Sequence, residues 1–490
     1  MNSPSNNAPD MNNADMNSTD ITAHIEAQYT HMKQVQLREG IPSAAVRKDR
    51  LQRCINLLVD YKDELSKALE QDFGGRSPNL TQLSEIMQGT GHYKHALKNV
   101  EKYMKVEKRS APFPIGLLGS RAEVHYQPKG VVGIMSPWNF PIAMVFVPLC
   151  NAITAGNRAI VKPSEFNPAT AELIKTLIEQ TFSSDEVAVF TGGAEVGAAF
   201  SAVPFDHLFF TGASSIGQKV MEAAAKNLTP VTLELGGKSP ALIDAAYPIE
   251  LAAERIVSGK GMNSGQVCIS PDYVFVPEQG LEAFIATSRE TFASQFATVL
   301  GNPDYTAVVN DRHYARLVSY LDEARAAGVR VEPLSDEALV AGDRRIPITL
   351  VINPSDDLRI MKDEIFGPLM VIKTYSNEQD CIDFINARPS PLAFYYFGED
   401  KQKQQQMLDQ TLSGGVTINN VTMHVSCYDL PFGGVGNSGM GSYHGIEGFK
   451  TFSHGRSVFR QGKLDLAKLA GTLPPYGEKV KKVLASQIKK

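Results

Sequence analysis

Between residues 131 and 235, short runs of β-forming residues alternate five times with segments of helical length, and this alternation constrains the fold more than any other feature. The runs are VVGIM (131–135), RAIVK (158–162), VAVF (187–190), HLFF (207–210) and PVTLEL (230–235), separated by 141–155, 168–182, 194–202 and 214–227. Apolar strands with helices between them predict an α/β fold whose parallel sheet is buried on both faces and joined by right-handed crossovers. A second α/β block is expected over 236–414, with strands at 273–276, 348–352, 369–375 and 393–398 and helices at 278–297, 311–327 and 377–388. Ahead of both, Leu51, Ile55, Leu58, Leu65 and Leu69 recur at helical spacing, 78–108 also reads as helix, and 119–130 as an extended excursion. Residues 415–460 are Gly-rich and poor in helical pattern.

Composition narrows the class. With 43% hydrophobic and 21% charged positions in 490, a mainly disordered, collagen-like or disulfide-scaffold protein is excluded. A net charge of −5 leaves no basic footprint for nucleic acid. The five cysteines, Cys54, Cys150, Cys268, Cys381 and Cys427, form no CxxC, and no HExxH or Cys/His cluster occurs, so no metal is expected. Residues 1–20, rich in Asn, Ser and Asp, lack the basic start and apolar core of a secretory signal and are expected to be a disordered tail. No run of about 18 apolar residues suggests a transmembrane segment. Residues 461–490, with lysines around Val480, Val483 and Leu484, read as a C-terminal tail ending in a solvated helix. A cytoplasmic protein is the expectation.

In open parallel sheets, ligands gather at the carboxyl ends of the strands, and here unusual polar residues follow one strand end after another. Strand 131–135 runs into Ser136-Pro137-Trp138-Asn139-Phe140-Pro141, and 158–162 ends in Lys162-Pro163-Ser164-Glu165. Strand 207–210 leads to TGASSIG (211–217), and 230–235 carries Glu234 before Gly236-Gly237-Lys238. Four such loops on one edge would build a single site. Each also has a plain structural reading. Gly212 and Gly217 serve a strand-to-helix turn as readily as they open a helix start to a phosphate. Lys162 and Glu165 are either a solvated pair or partners for ribose hydroxyls. Cys268, among the small polar residues of NSGQVCISP (263–271), is either a buried inert thiol or a nucleophile. Residues 434–439 match GxGxxG letter for letter, but they open no helical pattern and have no acidic residue about 20 positions on, so they read as a loop.

Together the segments PWNFP (137–141), KPSE (162–165), FTGASSIG (210–217), LELGGKSP (233–240), NSGQVC (263–268), EIFGP (364–368) and PFGGVGNSGMG (431–441) resemble, in this order, the aldehyde dehydrogenase superfamily over about residues 40 to 460. The PDY after the cysteine and the SYHG…FSH ending resemble its class 3 branch, and within it the bacterial coniferyl aldehyde dehydrogenases. The resemblance implies a Rossmann-type parallel-sheet cofactor domain (21–114 and 132–235), an α/β catalytic domain (236–414) and a small β oligomerisation arm (115–131 and 415–460). It implies that Cys268 attacks the aldehyde carbon, that the Asn139 amide and the Cys268 backbone N–H form the oxyanion hole, and that Glu234 activates water. By the same resemblance Lys162 and Glu165 hold the adenine ribose, Glu364 holds the nicotinamide ribose, and Phe366 packs near the nicotinamide. The loop from Gly212 to Gly217 faces the pyrophosphate, Phe432 lines the substrate pocket, and Ala213 replaces a frequent serine.

The activity so implied is NAD(P)-dependent oxidation of an aldehyde to the acid through a thiohemiacetal and a thioester. The aldehyde would be aromatic, such as coniferyl aldehyde, or medium-chain aliphatic. A carboxylate at the ribose, Glu165, favours NAD, with NADP also accepted. An arm with open strand edges implies a homodimer. Three alternatives stand beside this reading. A coenzyme A-acylating dehydrogenase would have no use for Glu234; a non-catalytic protein could retain the fold; and a papain-like protease would need a partnered histidine, for which none of the ten has a fitting context.

Overall fold

The five apolar runs form strands with almost every residue buried: Val131–Met135, Arg158–Lys162, Val187–Val189, His207–Thr211 and Val231–Glu234. The structure, a computed structural model, describes residues 18–113, 115–340 and 342–489. The five strands are parallel, in the spatial order 231–234, 207–211, 131–135, 158–162, 187–189. Helices Ala143–Ala155, Pro168–Thr181, Ala194–Ala202 and Ser214–Ala225 connect them. Strand order reverses between 131–135 and 207–211, so the loops leaving these neighbours diverge and open a crevice at their carboxyl ends. Residues 136–141 and 212–217 are those loops.

From Glu234 the chain crosses into a seven-stranded sheet, ordered Arg330–Pro333, Thr349–Ile352, Leu369–Tyr375, Pro271–Pro277, Ser239–Ile243, Ala393–Phe397, Gly415–Ile418. All neighbours are parallel except the first pair. Ser239–Ile243 is central, yet nothing in the sequence reading anticipates it: five residues with a proline, directly after Gly-Gly, look like a turn. A third, antiparallel sheet joins Glu107–Arg109, Arg121–Pro128 and Ser453–Arg460.

Several placements differ from the sequence reading. Residues 415–418, assigned there to the arm, hydrogen-bond instead with Ala393–Phe397 in the seven-stranded sheet. The Gly-rich stretch also contains a helix, Gly445–Thr451. Of the expected tail 1–20, residues 1–17 lie outside the described residues, while Ser18–Asp20 open the helix Ser18–Glu39. Its Ile21, Ile25 and Met32 pack into a buried cluster with Val196, Phe200 and Phe205. At the other end Glu478–Gln487 is a helix with no buried residue. Among the described residues, no helix is long and apolar enough to cross a membrane.

The GxGxxG stretch is a packing device. Gly439–Met440 pairs antiparallel with Leu233 and Glu234, and Ser438 O accepts a bond from Leu235 N at 3.0 Å. Gly439 has φ +143°, and a Cβ there would lie 2.2 Å from Leu233 O. Gly439→Ala therefore forces the Glu234 strand aside. We expect a loss of about 1–3 kcal/mol in unfolding free energy, read from the urea midpoint, together with reduced activity.

Candidate active site

A cavity of about 1100 Å³ opens at the carboxyl edge of the six-stranded sheet, and each of the seven quoted segments contributes to its lining. Cys268 reaches it from a tight turn after the helix Ile249–Gly261. Asn263, Ser264 and Gly265 have φ of 48°, 50° and 70°, and successive left-handed residues are costly where side chains are present. A set of hydrogen bonds from Asn263 and Gln266 holds them. Asn263 Nδ2 donates to Asn139 O and Gln266 O, both at 3.1 Å. Gln266 Nε2 donates to Asn263 O and Ala307 O, and its Oε1 accepts from Val309 N, all at 3.0 Å. At Gly265 a Cβ would lie 2.3 Å from Gly367 O. The motif residues before Cys268 thus build a rigid platform beneath the thiol.

Cys268 Sγ donates to Glu234 Oε1 at 3.6 Å. Glu234 is buried at the end of its strand, and its Oε2 accepts from Tyr443 Oη at 2.9 Å and Thr211 Oγ1 at 3.1 Å. Burial pushes the Glu234 carboxyl above its ordinary range, against these hydrogen bonds. Burial, followed by the charges of Glu234 and Glu364, pushes the Cys268 thiol well above its own. The thiol's partner is thus a carboxylate and not an imidazole, so the pairing a papain-like protease needs is missing. Asn139 lies against the same turn, its Nδ2 donating to Gln266 O at 3.1 Å.

The other predicted residues surround this pair. Glu364 lies over Gly236, where a Cβ would be 2.3 Å from either carboxylate oxygen, and burial pushes its pKa up to about 8. Phe366, at φ +45°, meets Trp138 edge to face at 5.2 Å. Arg316 pins this segment by donating to the carbonyls of Glu364 (3.4 Å) and Ile365 (2.9 Å). Lys162 Nζ donates to Glu165 Oε2 at 3.1 Å, but its side chain is only 5% exposed, so the solvated-pair reading fails for the lysine. Phe432 lines the cavity and stacks on His444 at 5.4 Å. Gly212 lines it too, although its own N–H is engaged by Glu234 O. Gly217 does not reach the cavity; it is buried, and a Cβ there would lie 2.7 Å from a Leu235 methyl. Of the five cysteines, Cys268 alone is on the cavity wall among the described residues.

Sequence reasoning did not single out Tyr443, Arg76, Glu85, Arg316 or His313. Tyr443 stands in the quoted SYHG, so its neighbourhood was visible although its role was not. The others sit in helical stretches or beside them, where a charged or imidazole side chain reads as solvated surface. The residues present fit a dinucleotide. Among the described residues, Ser136 Oγ and both ring nitrogens of His313 are buried on cavity residues without a partner, and the N-cap Ala213 offers no side-chain cap to the first turn of Ser214–Ala225.

The model of the aldehyde dehydrogenase family matches residues 1–458. The chain is 49% identical to a protein named probable coniferyl aldehyde dehydrogenase of Caulobacter vibrioides, over 94% of this chain and 95% of that one. It is 44% identical to the coniferyl aldehyde dehydrogenase of a Pseudomonas species, over 93% and 94%. Among solved structures, the substrate-bound state of Staphylococcus aureus AldH superposes with a TM-score of 0.88 at 36% identity, covering 94% of this chain and 99% of that one.

Two carboxylates that oppose a further negative charge should show in the reactivity of the free enzyme. Iodoacetamide labelling of Cys268 is expected to rise with pH and reach half its maximum above the ordinary thiol range. Glu234→Gln removes one opposing charge and should move that midpoint to lower pH, measured by mass spectrometry of the labelled peptide. An unshifted midpoint would mean that burial alone controls the thiol.

Proposed function

The chain belongs to the aldehyde dehydrogenase family, which oxidises aldehydes with NAD or NADP, and from that premise we propose that it oxidises aromatic aldehydes of the coniferyl type, with NAD preferred, through covalent catalysis by Cys268. The observation that carries the mechanism is the hydrogen bond from the half-buried Cys268 thiol to the buried Glu234. As Sγ attacks the carbonyl carbon, its proton passes to Glu234 Oε1, and the oxygen becomes an alkoxide. Asn139 has two amide protons and gives one to Gln266 O, which leaves the other, with the Cys268 backbone N–H, for that alkoxide. A nicotinamide held in the cavity would supply the acceptor for the hydride that must leave the former carbonyl carbon. The carbon is then a thioester on Sγ. Glu234, having released its proton to solvent, takes one from the water that attacks this thioester, the C–Sγ bond breaks to free the acid and return the Cys268 thiolate, and Tyr443 and Thr211 hold Oε2 throughout. A transfer to coenzyme A would need no such carboxylate.

For the cofactor, the residues of this chain would divide the work by position. Lys162 and Glu165 would hold the adenine ribose, where the Glu165 carboxylate repels a 2′-phosphate and favours NAD. The uncapped start of Ser214–Ala225 would meet the pyrophosphate, Glu364 the nicotinamide ribose, and Phe366 would pack beside the ring. The aromatic substrate class is supported by the coniferyl aldehyde relatives and by Phe432 on the cavity wall.

The test is NADH formation from a panel of aromatic and medium-chain aldehydes. Cys268→Ala should abolish it, and Asn139→Ala should lower kcat by about a hundredfold to a thousandfold. Glu234→Gln should give a fast first turnover followed by slow hydrolysis. Turnover that survives Cys268→Ala would overturn the mechanism, and faster turnover with NADP would overturn the cofactor preference.

A homodimer is proposed from the sheet edges. Ser453–Arg460 is a long outer strand of the three-stranded sheet, mostly exposed, with Phe459 52% accessible. Gly415–Ile418 is the free edge of the seven-stranded sheet. An arm laid on a neighbour's edge would satisfy both. Light scattering at micromolar concentration should give twice the mass of the chain, and a monomer would sink the idea.

A further inference from the structure

One wall of the cavity is chemically unlike the rest. A π-turn at Gln82–Met87 precedes the helix Gln88–Tyr103, and such turns re-phase the face that follows. Ser84, Gln88 and His92, at four-residue spacing, all line the cavity, and Ser426 and His444 join them from the other segment of this wall. Among the described residues of 84–92 and 422–444, no Lys, Arg, Asp or Glu lines the cavity. This wall adjoins the catalytic pair. His92 and His444 rings lie 4.2 Å apart, and His444 follows Tyr443, whose hydroxyl bonds Glu234. Phe432 lies nearly parallel to His444, with 14° between the rings, and offers a flat apolar face.

Among the described residues, two buried polar atoms on this wall have no partner: Gln88 Oε1 and His444 Nδ1. Gln88 Nε2 donates to Ser426 Oγ at 3.2 Å, so the serine hydroxyl keeps its own proton to give. Turning the amide over exchanges the roles, and the pair still offers one donor and one acceptor. Burial holds His444 and His92 neutral, which leaves the wall without charge. A hydroxyl, which both donates and accepts, is the ligand group that satisfies such a pair; a carboxylate or an ammonium finds no counter-charge here.

We propose that Gln88 and Ser426, together with the His444 imidazole, form an uncharged subsite that binds a hydroxyl at the far end of a planar aromatic aldehyde and makes the enzyme select hydroxylated over plain aromatic aldehydes. The proposal rests on the aldehyde-oxidising reading of the same cavity and adds the residues that read the substrate's tail. A site built to hydrogen-bond a hydroxyl penalises the analogue that lacks it, because its own polar groups are then left unpaired.

The experiment compares 4-hydroxy-3-methoxycinnamaldehyde with cinnamaldehyde, by kcat/KM, in wild type, Gln88→Leu and Ser426→Ala. Wild type should favour the hydroxylated aldehyde, and each variant should lower that ratio by about tenfold, mainly through KM. A wild-type ratio near one, or a ratio unchanged in both variants, overturns the subsite while leaving the dehydrogenase reading intact. Calorimetric binding of the two corresponding cinnamyl alcohols gives a readout independent of turnover. Should no aldehyde be oxidised, the proposed function fails, and the alcohols still decide the subsite: equal binding of both by wild type refutes it, and a preference lost in the variants supports it.

Discussion

Arg76 and Glu85, neither exposed to solvent, form an ion pair at 2.7 Å on which the geometry around the thiol depends. Arg76 Nη1 donates to Asn139 O at 2.6 Å, and its guanidinium lies 5.0 Å from the ring centres of both Phe73 and Phe140. Glu85 Oε2 accepts from Ile142 N and Ala143 N at the start of the helix Ala143–Ala155, where a carboxylate also meets the favourable end of the helix dipole. Burial pushes the Glu85 carboxyl up and the Arg76 guanidinium down, so each needs the other to stay charged. Asn139 O is shared with Asn263 Nδ2, and Asn263 also bonds Gln266 O. One continuous chain of polar contacts therefore runs from the N-terminal helices, through the 136–141 loop, to the turn that carries Cys268. Without such a chain the left-handed residues at 263–265 would relax.

The second constraint is the crowding of acidic groups around the thiol. Cys268, Glu234 and Glu364 share the low-dielectric wall of one cavity, and burial is the leading cause of the upward shift in each. Only a limited number of negative charges can exist there at once. A proton resting between Sγ and Glu234 resolves the conflict in the free enzyme, and attack on a carbonyl moves the charge outward to the oxygen. The geometry thus links nucleophile and base through one proton, with Tyr443 and Thr211 keeping the carboxylate oriented.

Strands and crossovers of 131–235 were legible because double burial demands unbroken apolar runs, and these stand out against the helices between them. Ser239–Ile243 was not, since its partners, Pro271–Pro277 and Ala393–Phe397, are remote in sequence and it carries a proline after Gly-Gly. The helix Ser18–Glu39 escaped because its buried positions are few, widely spaced and set among polar residues. Gly217 and Gly439 look alike as motif glycines, yet both serve close packing against the segment that carries Glu234, which no local pattern reveals.

The sequence by itself determined the chemistry available: one cysteine among small polar neighbours, a carboxylate at a strand end, an asparagine after another strand, and an order of segments that identified the family. These are properties of residues and of short stretches, and local spacing carries them. Only the tertiary structure decided which groups touch. The bond from Sγ to Glu234, the hold of Tyr443 on that carboxylate, the burial of Lys162 and the buried pair beneath Asn139 each join segments far apart in the chain. Burial also raised the pKa values of Cys268, Glu234 and Glu364, because desolvation depends on everything packed around a group and not on the residues beside it in sequence.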